Sequence, residues 1–182
     1  LMAPQPDILV VVEAAAGELA SHNHAVLGLA RRLAEAWGGT ASAVLFGEDT
    51  KGLASNLIAL GADRVHVADD EAFTVCQAES WASDIVAITR ATSPAAILMG
   101  HTAIGADLAP RLAFRLQTAV ATGCVEAEII DGRLLMTRPC YGGNGREVTS
   151  FKTTPAIATI KAKSQQPATP DAARHGDIVD VA

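Results

Sequence analysis

The sequence predicts a three-layer α/β/α domain built on a mostly parallel sheet, with an antiparallel extension towards its C-terminal end. Three observations carry this. Short unbroken apolar runs alternate with stretches whose apolar residues recur at helical spacing, in the order βαβαβαβα as far as residue 116. Hydrophobic residues make up 49% of the chain but aromatic residues only 4%, so the core must consist of Val, Ile, Leu and Ala, small enough for helices to lie close on a sheet. Beyond residue 116 the helical spacing stops and strand-like segments follow one another.

Taken in order, Ile8 to Val12 is a continuous apolar run ending at Glu13, the pattern of a strand buried on both faces. After a loop through Gly17, Ser21 is placed to cap a helix reaching Trp37. Val26, Leu29, Ala30 and Leu33 share one face of it, and Gly38-Gly39 stops it. Ala41 to Phe46 is the second strand. Asp49 or Thr50 can cap a short helix holding Leu53, Leu57 and Leu60, which Gly61 closes. Arg64 to Val67 alternates polar with apolar and predicts a strand with one exposed face. Cys76 to Ala91 predicts a helix with Trp81, Ile85 and Ile88 inward. Ala95 to Met99 is a fourth buried strand, Gly100-His101-Thr102 a turn, and residues 104 to 116 a helix. Such an order requires a parallel sheet with right-handed crossovers. The segments Gly123–Ile130, Arg133–Cys140, Glu147–Phe151 and Ala156–Lys161 read as the strands of the extension, with Asp131-Gly132 as a tight hairpin turn. Residues 164 to 182, with Gln165, Gln166, Pro167 and Pro170, read as a linker.

The 182 residues fit one domain with a sizeable core. A formal net charge of −6 with scattered lysines and arginines argues against nucleic-acid binding. Cys76, Cys124 and Cys140 are odd in number and share no C-x-x-C spacing, which argues against a disulfide framework and against a zinc site. No stretch approaches a membrane span and no basic region precedes an apolar run at the N-terminus, so a cytoplasmic chain without membrane insertion is expected.

Several residues are candidates for chemistry. Gly100, His101, Thr102 and Gly105 follow a buried strand and open a helix, where free backbone N–H groups and the helix dipole favour an anion such as a nucleotide phosphate. The same glycines suit tight packing with no ligand, and no G-x-G-x-x-G or P-loop spacing is present. His22 and His24 lie two apart without a carboxylate cluster and read as exposed helix-start histidines rather than metal ligands. Asp107, Arg111 and Arg115 recur every four residues, which fits intrahelical ion pairs or a docking surface. Cys140 reads as a packed strand residue. The loop Tyr141, Gly142, Gly143, Asn144 and Arg146 combines residues that tolerate left-handed backbone, and an interdomain or intersubunit contact is expected there.

Four segments share a resemblance. The opening strand Ile8-Leu9-Val10-Val11-Val12-Glu13, the strand-to-helix run Gly100 to Ala113 (GHTAIGADLAPRLA), the stretch Arg138-Pro139-Cys140-Tyr141-Gly142-Gly143-Asn144-Gly145, and Thr153-Thr154-Pro155 to Lys161 are similar, in this order, to segments of electron-transfer flavoprotein alpha subunits. The resemblance covers residues 7 to 163. It implies an N-terminal domain with a fold related to adenine-nucleotide-binding proteins (adenine nucleotide alpha hydrolase-like). It further implies a separate C-terminal domain carrying most contacts to FAD, and a beta subunit that in many members holds AMP. The heterodimer takes electrons from flavin dehydrogenases to a downstream acceptor. No Ser-Gly-Gly-Arg-Gly-like flavin loop stands in this sequence, so no flavin-binding residue is carried over, and residues 164–182 are expected to lead towards a missing FAD domain. The resulting expectation is a scaffold and partner-binding domain that performs no bond chemistry and holds no FAD alone. The alternative is a stand-alone adenine-nucleotide-binding or sensor protein of the same fold.

Overall fold

The computed structural model describes residues 6–48, 50–70, 73, 78–161 and 163–181. The elements are β1 (Asp7–Val12), β2 (Ala14–Ala15), β3 (Glu18–Leu19), α1 (His22–Trp37), β4 (Thr40–Gly47), α2 (Lys51–Ala59), β5 (Arg64–Asp69), α3 (Ala78–Thr92), β6 (Ala96–Gly100), α4 (Ala103–Arg115), β7 (Val120–Cys124), β8 (Glu126–Ile130), β9 (Arg133–Cys140), β10 (Gly145–Ser150), β11 (Ala156–Ile160) and β12 (Asp177–Asp180). Among the described residues one seven-stranded sheet runs in the order β12-β5-β4-β1-β6-β11-β7, and each neighbouring pair is parallel. A separate antiparallel sheet has the order β10-β9-β8.

The apolar runs explain the layering. Side chains of a strand alternate between faces, so Ile8, Val10 and Val12 of β1 enter one core while Leu9 and Val11 enter the other. The first core is closed by α1 and α2, through Val26, Leu29, Leu33 and Leu57, and also by Leu134 and Met136 of β9. The second is closed by α3 and α4, through Trp81, Ile85, Leu108 and Leu112. The predicted three-layer α/β/α class, with its mostly parallel sheet and antiparallel extension, is what the chain adopts.

Details of the expected pairing change. Gly123–Ile130 divides between two strands at Val125, and Gly123, with a left-handed φ of +68°, lies inside β7 where its register against β11 shifts. That break leaves β7 in the main sheet and sends β8 to the antiparallel one. Ala156–Ile160 is not part of the extension: β11 lies between β6 and β7, wholly buried. Ser21 and Thr50 precede α1 and α2 as expected, but neither hydroxyl makes a capping bond. Asp49 and Cys76 lie outside the described residues. Gly38 closes α1 with a left-handed φ of +72°.

The tail expected as a linker returns along the domain. Ala168 N–H donates to the His24 carbonyl, Asp171 N–H to that of Ala59 and Asp177 N–H to that of Asp63. Arg174 reaches Asp63 Oδ1 at 2.6 Å. Gly28 permits the approach, since a Cβ there would lie 3.0 Å from Ala168 N. β12 then pairs with β5 and extends the sheet by one strand.

This tail bears on β5, whose predicted exposed face is exposed at Arg64 but buried at His66. His66 is only 6% exposed, on a strand that pairs with β4 on one side and β12 on the other. Burial, followed by the charge of Arg64, lowers its pKa below the ordinary 6.5, against a smaller opposing pull from Asp7. The neutral ring is therefore favoured in the folded state. The unfolded chain takes up a proton first as pH falls through 6.5, so the stability this contributes is present above that value and is lost below it, until the folded pKa is passed. Urea midpoints at successive pH values should fall more steeply below pH 6.5 in the parent chain than in His66→Gln. Parallel curves would show that His66 is not the proton-linked group.

Candidate functional site

Strand order reverses between β1 and β6: the chain runs outward from β1 through β4 to β5, then returns to β6 on the other side of β1. Ligands of open α/β sheets bind at such a switch point, outside the carboxyl ends of the strands. Here Glu13 follows β1, Gly100 ends β6, and His101 and Thr102 follow it.

The residues at this point are held firmly. Asn23, 1% exposed, clamps the backbone of Glu13: its Nδ2 donates to the Glu13 carbonyl at 2.6 Å, and its Oδ1 accepts from Glu13 N–H at 3.2 Å. The Glu13 carboxylate accepts from Thr102 Oγ1 at 2.5 Å. The Thr102 hydroxyl in turn accepts from Gly105 N–H at 3.0 Å and so caps α4. His22 Nε2 lies 3.5 Å from the same carboxylate oxygen, with both side chains 13% exposed. The expected exposed helix-start histidine is therefore largely buried, and its Nε2 has no hydrogen-bond partner. A Cβ on Gly100 would overlap the His22 ring, and one on Gly105 would overlap the Gly100 carbonyl oxygen. Both glycines thus serve close packing.

His101 finds a partner that the sequence did not reveal. Its Nδ1 is 2.8 Å from the hydroxyl of Thr159, a fully buried residue of β11 that also accepts from Gly123 N–H at 2.9 Å. The structure therefore unites Gly100, His101, Thr102 and Gly105, and adds Glu13, His22, Asn23 and Thr159. An acidic residue ending a five-residue apolar strand was the available signal for Glu13.

A second constellation lies on the antiparallel sheet. Ala127, Ile129, Leu134 and Met136 face the α1 core. Glu126, Thr137 and Val148 share one row on the opposite face. Val148 is 61% exposed there and Tyr141 87%, while Arg146 pairs with Glu126 at 2.8 Å. Tyr141, Gly142 and Gly143 have successive positive φ values of 50°, 66° and 95°. Asn144 Nδ2 donates to the Tyr141 carbonyl and holds this turn. Arg138 grips one Glu147 oxygen through two nitrogens and keeps that carboxyl below its ordinary pKa range.

Arg111 pairs with Asp107 within α4 and also reaches Glu79 of α3, and Arg115 reaches across to Glu79 and Ser83 of α3. Burial pushes the Cys124 thiol up to about 11, which leaves little thiolate at neutral pH. Cys140 is half-buried. Among the described residues no three His, Cys, Asp or Glu side chains gather as a metal site, and no helix is long and apolar enough to cross a membrane.

The family model for the electron transfer flavoprotein domain matches residues 8–182. The chain belongs to the electron transfer flavoprotein family. It is 37% identical over 162 residues to an electron transfer flavoprotein subunit alpha of Thermoanaerobacterium thermosaccharolyticum, covering 88% of this chain and 46% of that protein. Alpha subunits of Bacillus subtilis and Megasphaera elsdenii are each 31% identical, covering 96% and 98% of this chain and 53% and 54% of theirs. This flavoprotein domain thus spans about half the length of the curated relatives it matches.

The family's name implies a flavin, and the switch point tests whether this domain's residues fit one. They do not. A flavin dinucleotide needs backbone donors free for its pyrophosphate. In this flavoprotein domain the Gly105 N–H is already given to the Thr102 hydroxyl, which bonds the Glu13 carboxylate, and a phosphate there would bring two anions together.

Proposed function

We propose that this chain is the scaffold and partner-binding domain of an electron-transfer flavoprotein alpha subunit. In this reading it holds a flavin domain and a beta subunit in register, and FAD is bound by residues outside this chain. The whole protein is an electron carrier between flavin dehydrogenases and a downstream acceptor, and AMP, where present, belongs to the beta subunit. Transfer depends on cofactor distance and orientation, so rigid positioning is the contribution a domain without chemistry of its own makes. The tail from 164 runs back along the domain and adds β12 to its sheet, and in this reading the flavin part lies beyond that edge.

The observation that carries this reading is the pairing of a filled switch point with an exposed sheet face. The place for a nucleotide is taken by side chains. Tyr141 and Val148 meanwhile stand exposed beside Gly142, Gly143, Asn144 and Arg146. The purified 182-residue chain, incubated with excess FAD and desalted, is expected to be colourless. Stoichiometric yellow flavin retained by the chain would sink this division of labour.

A further inference from the structure

We propose that Glu13 is the resident anion of the switch-point crevice and the residue that keeps phosphate-bearing ligands out of it. The inference shares the filled switch point with the reading above but concerns only what this crevice accepts, so its test needs no partner subunit and no flavin. The N-terminal end of a 13-residue helix, α4, opens onto the crevice, and such an end attracts negative charge. The anion it meets is supplied by the chain itself.

Four features fix that assignment. The Glu13 carboxylate accepts from the hydroxyl of Thr102, the N-cap residue of α4, at 2.5 Å. That hydroxyl has given its one proton to Glu13 and also accepts from Gly105 N–H, so it has no donor left for a phosphate. The Glu13 backbone is held through both its N–H and its carbonyl by the buried Asn23, so the side chain cannot be swung aside by moving the end of β1. His22 closes the remaining side, 3.5 Å from the carboxylate and against Gly100. The glycines that would mark a phosphate loop are consumed in packing, because a side chain at either Gly100 or Gly105 would overlap a neighbour. A phosphate approaching α4 would have to displace the carboxylate or lie beside it, with like charges in contact.

Removing the carboxylate should therefore create an affinity that the parent chain lacks. The test compares the 182-residue chain with Glu13→Ala and Glu13→Gln, titrated with inorganic phosphate and, separately, with AMP by calorimetry. Glu13→Gln keeps the shape and the bond to Thr102 while removing the charge, and circular dichroism checks that each variant is folded. The expected result is no measurable binding by the parent, and binding by Glu13→Ala at least ~10-fold tighter than the parent's detection limit. Amide shifts at Ala103 and Gly105 should accompany it. Equal affinity for phosphate and AMP would place recognition on the phosphate alone; tighter AMP binding would add a contact to the base; both support the assignment. If Glu13→Ala is unfolded, the amide shifts of Glu13→Gln on adding phosphate decide. Folded variants that bind no better than the parent, or a parent chain that binds either ligand with shifts at Ala103 and Gly105, would overturn it.

Discussion

Leu98→Ala is expected to lower the unfolding free energy by roughly 2–5 kcal/mol, read as a shift of the urea midpoint at unchanged slope. Leu98 sits at the middle of β6, with Val10 of β1 opposite on one side and Ala158 of β11 on the other. It is fully buried in the core beneath α1. Its neighbours in that layer are small or β-branched and belong to a continuous sheet, so they cannot collapse into the space the missing atoms leave. The loss therefore includes a cavity contribution beyond the transfer of the side chain itself. The same strand ends at Gly100, so a loosened β6 also loosens the turn that carries His101 and Thr102. A cost below about 1 kcal/mol would mean that the centre of this sheet is far less tightly packed than described.

Val148→Arg should weaken association with the beta subunit at least ~10-fold, a change of about 1.4 kcal/mol or more, while leaving the melting temperature of the chain unaltered. Among the described residues β10 pairs only with β9, so its outer edge presents backbone groups that no described strand pairs. Its apolar Val148 faces away from the α1 core, in one row with Thr137 and Glu126. Exposed apolar side chains on an unpaired edge are what a partner would cover. Tyr141 adds a large ring with little freedom to lose, the residue type that often dominates binding energy. Because Val148 supports nothing inside the fold, an arginine there changes the surface alone. Calorimetric titration of parent and variant against the beta subunit separates the two effects. A variant that binds as tightly as the parent would place the docking surface elsewhere.

Much of this architecture could be read from the residues, and the failures share a cause. The runs Ile8–Val12 and Ala95–Met99, and the helical spacing of Val26, Leu29 and Leu33, state their structure locally. Pairing is not local. Ala156–Ile160 is apolar except for Thr159, close to the pattern of a central parallel strand, yet its place in the chain among antiparallel strands suggested the wrong sheet. His66 looked exposed because alternation was read within β5 alone, whereas β12 arrives from far along the chain. The tail 163–181 is polar and rich in turn residues, so its pairing depends on β5 and Asp63 rather than on its own pattern. At the switch point the glycines were visible, but their function depended on what faced them. Glu13, His22 and Asn23 meet Gly100 and Thr102 only once β1 and β6 lie side by side.

The most direct test of the central claim is a titration of the purified 182-residue chain into the beta subunit of its own flavoprotein. A partner-binding scaffold should show saturable one-to-one association, formed without added flavin and weakened by Val148→Arg. A folded chain that shows no association with that subunit would contradict the reading of this domain as a partner-binding scaffold.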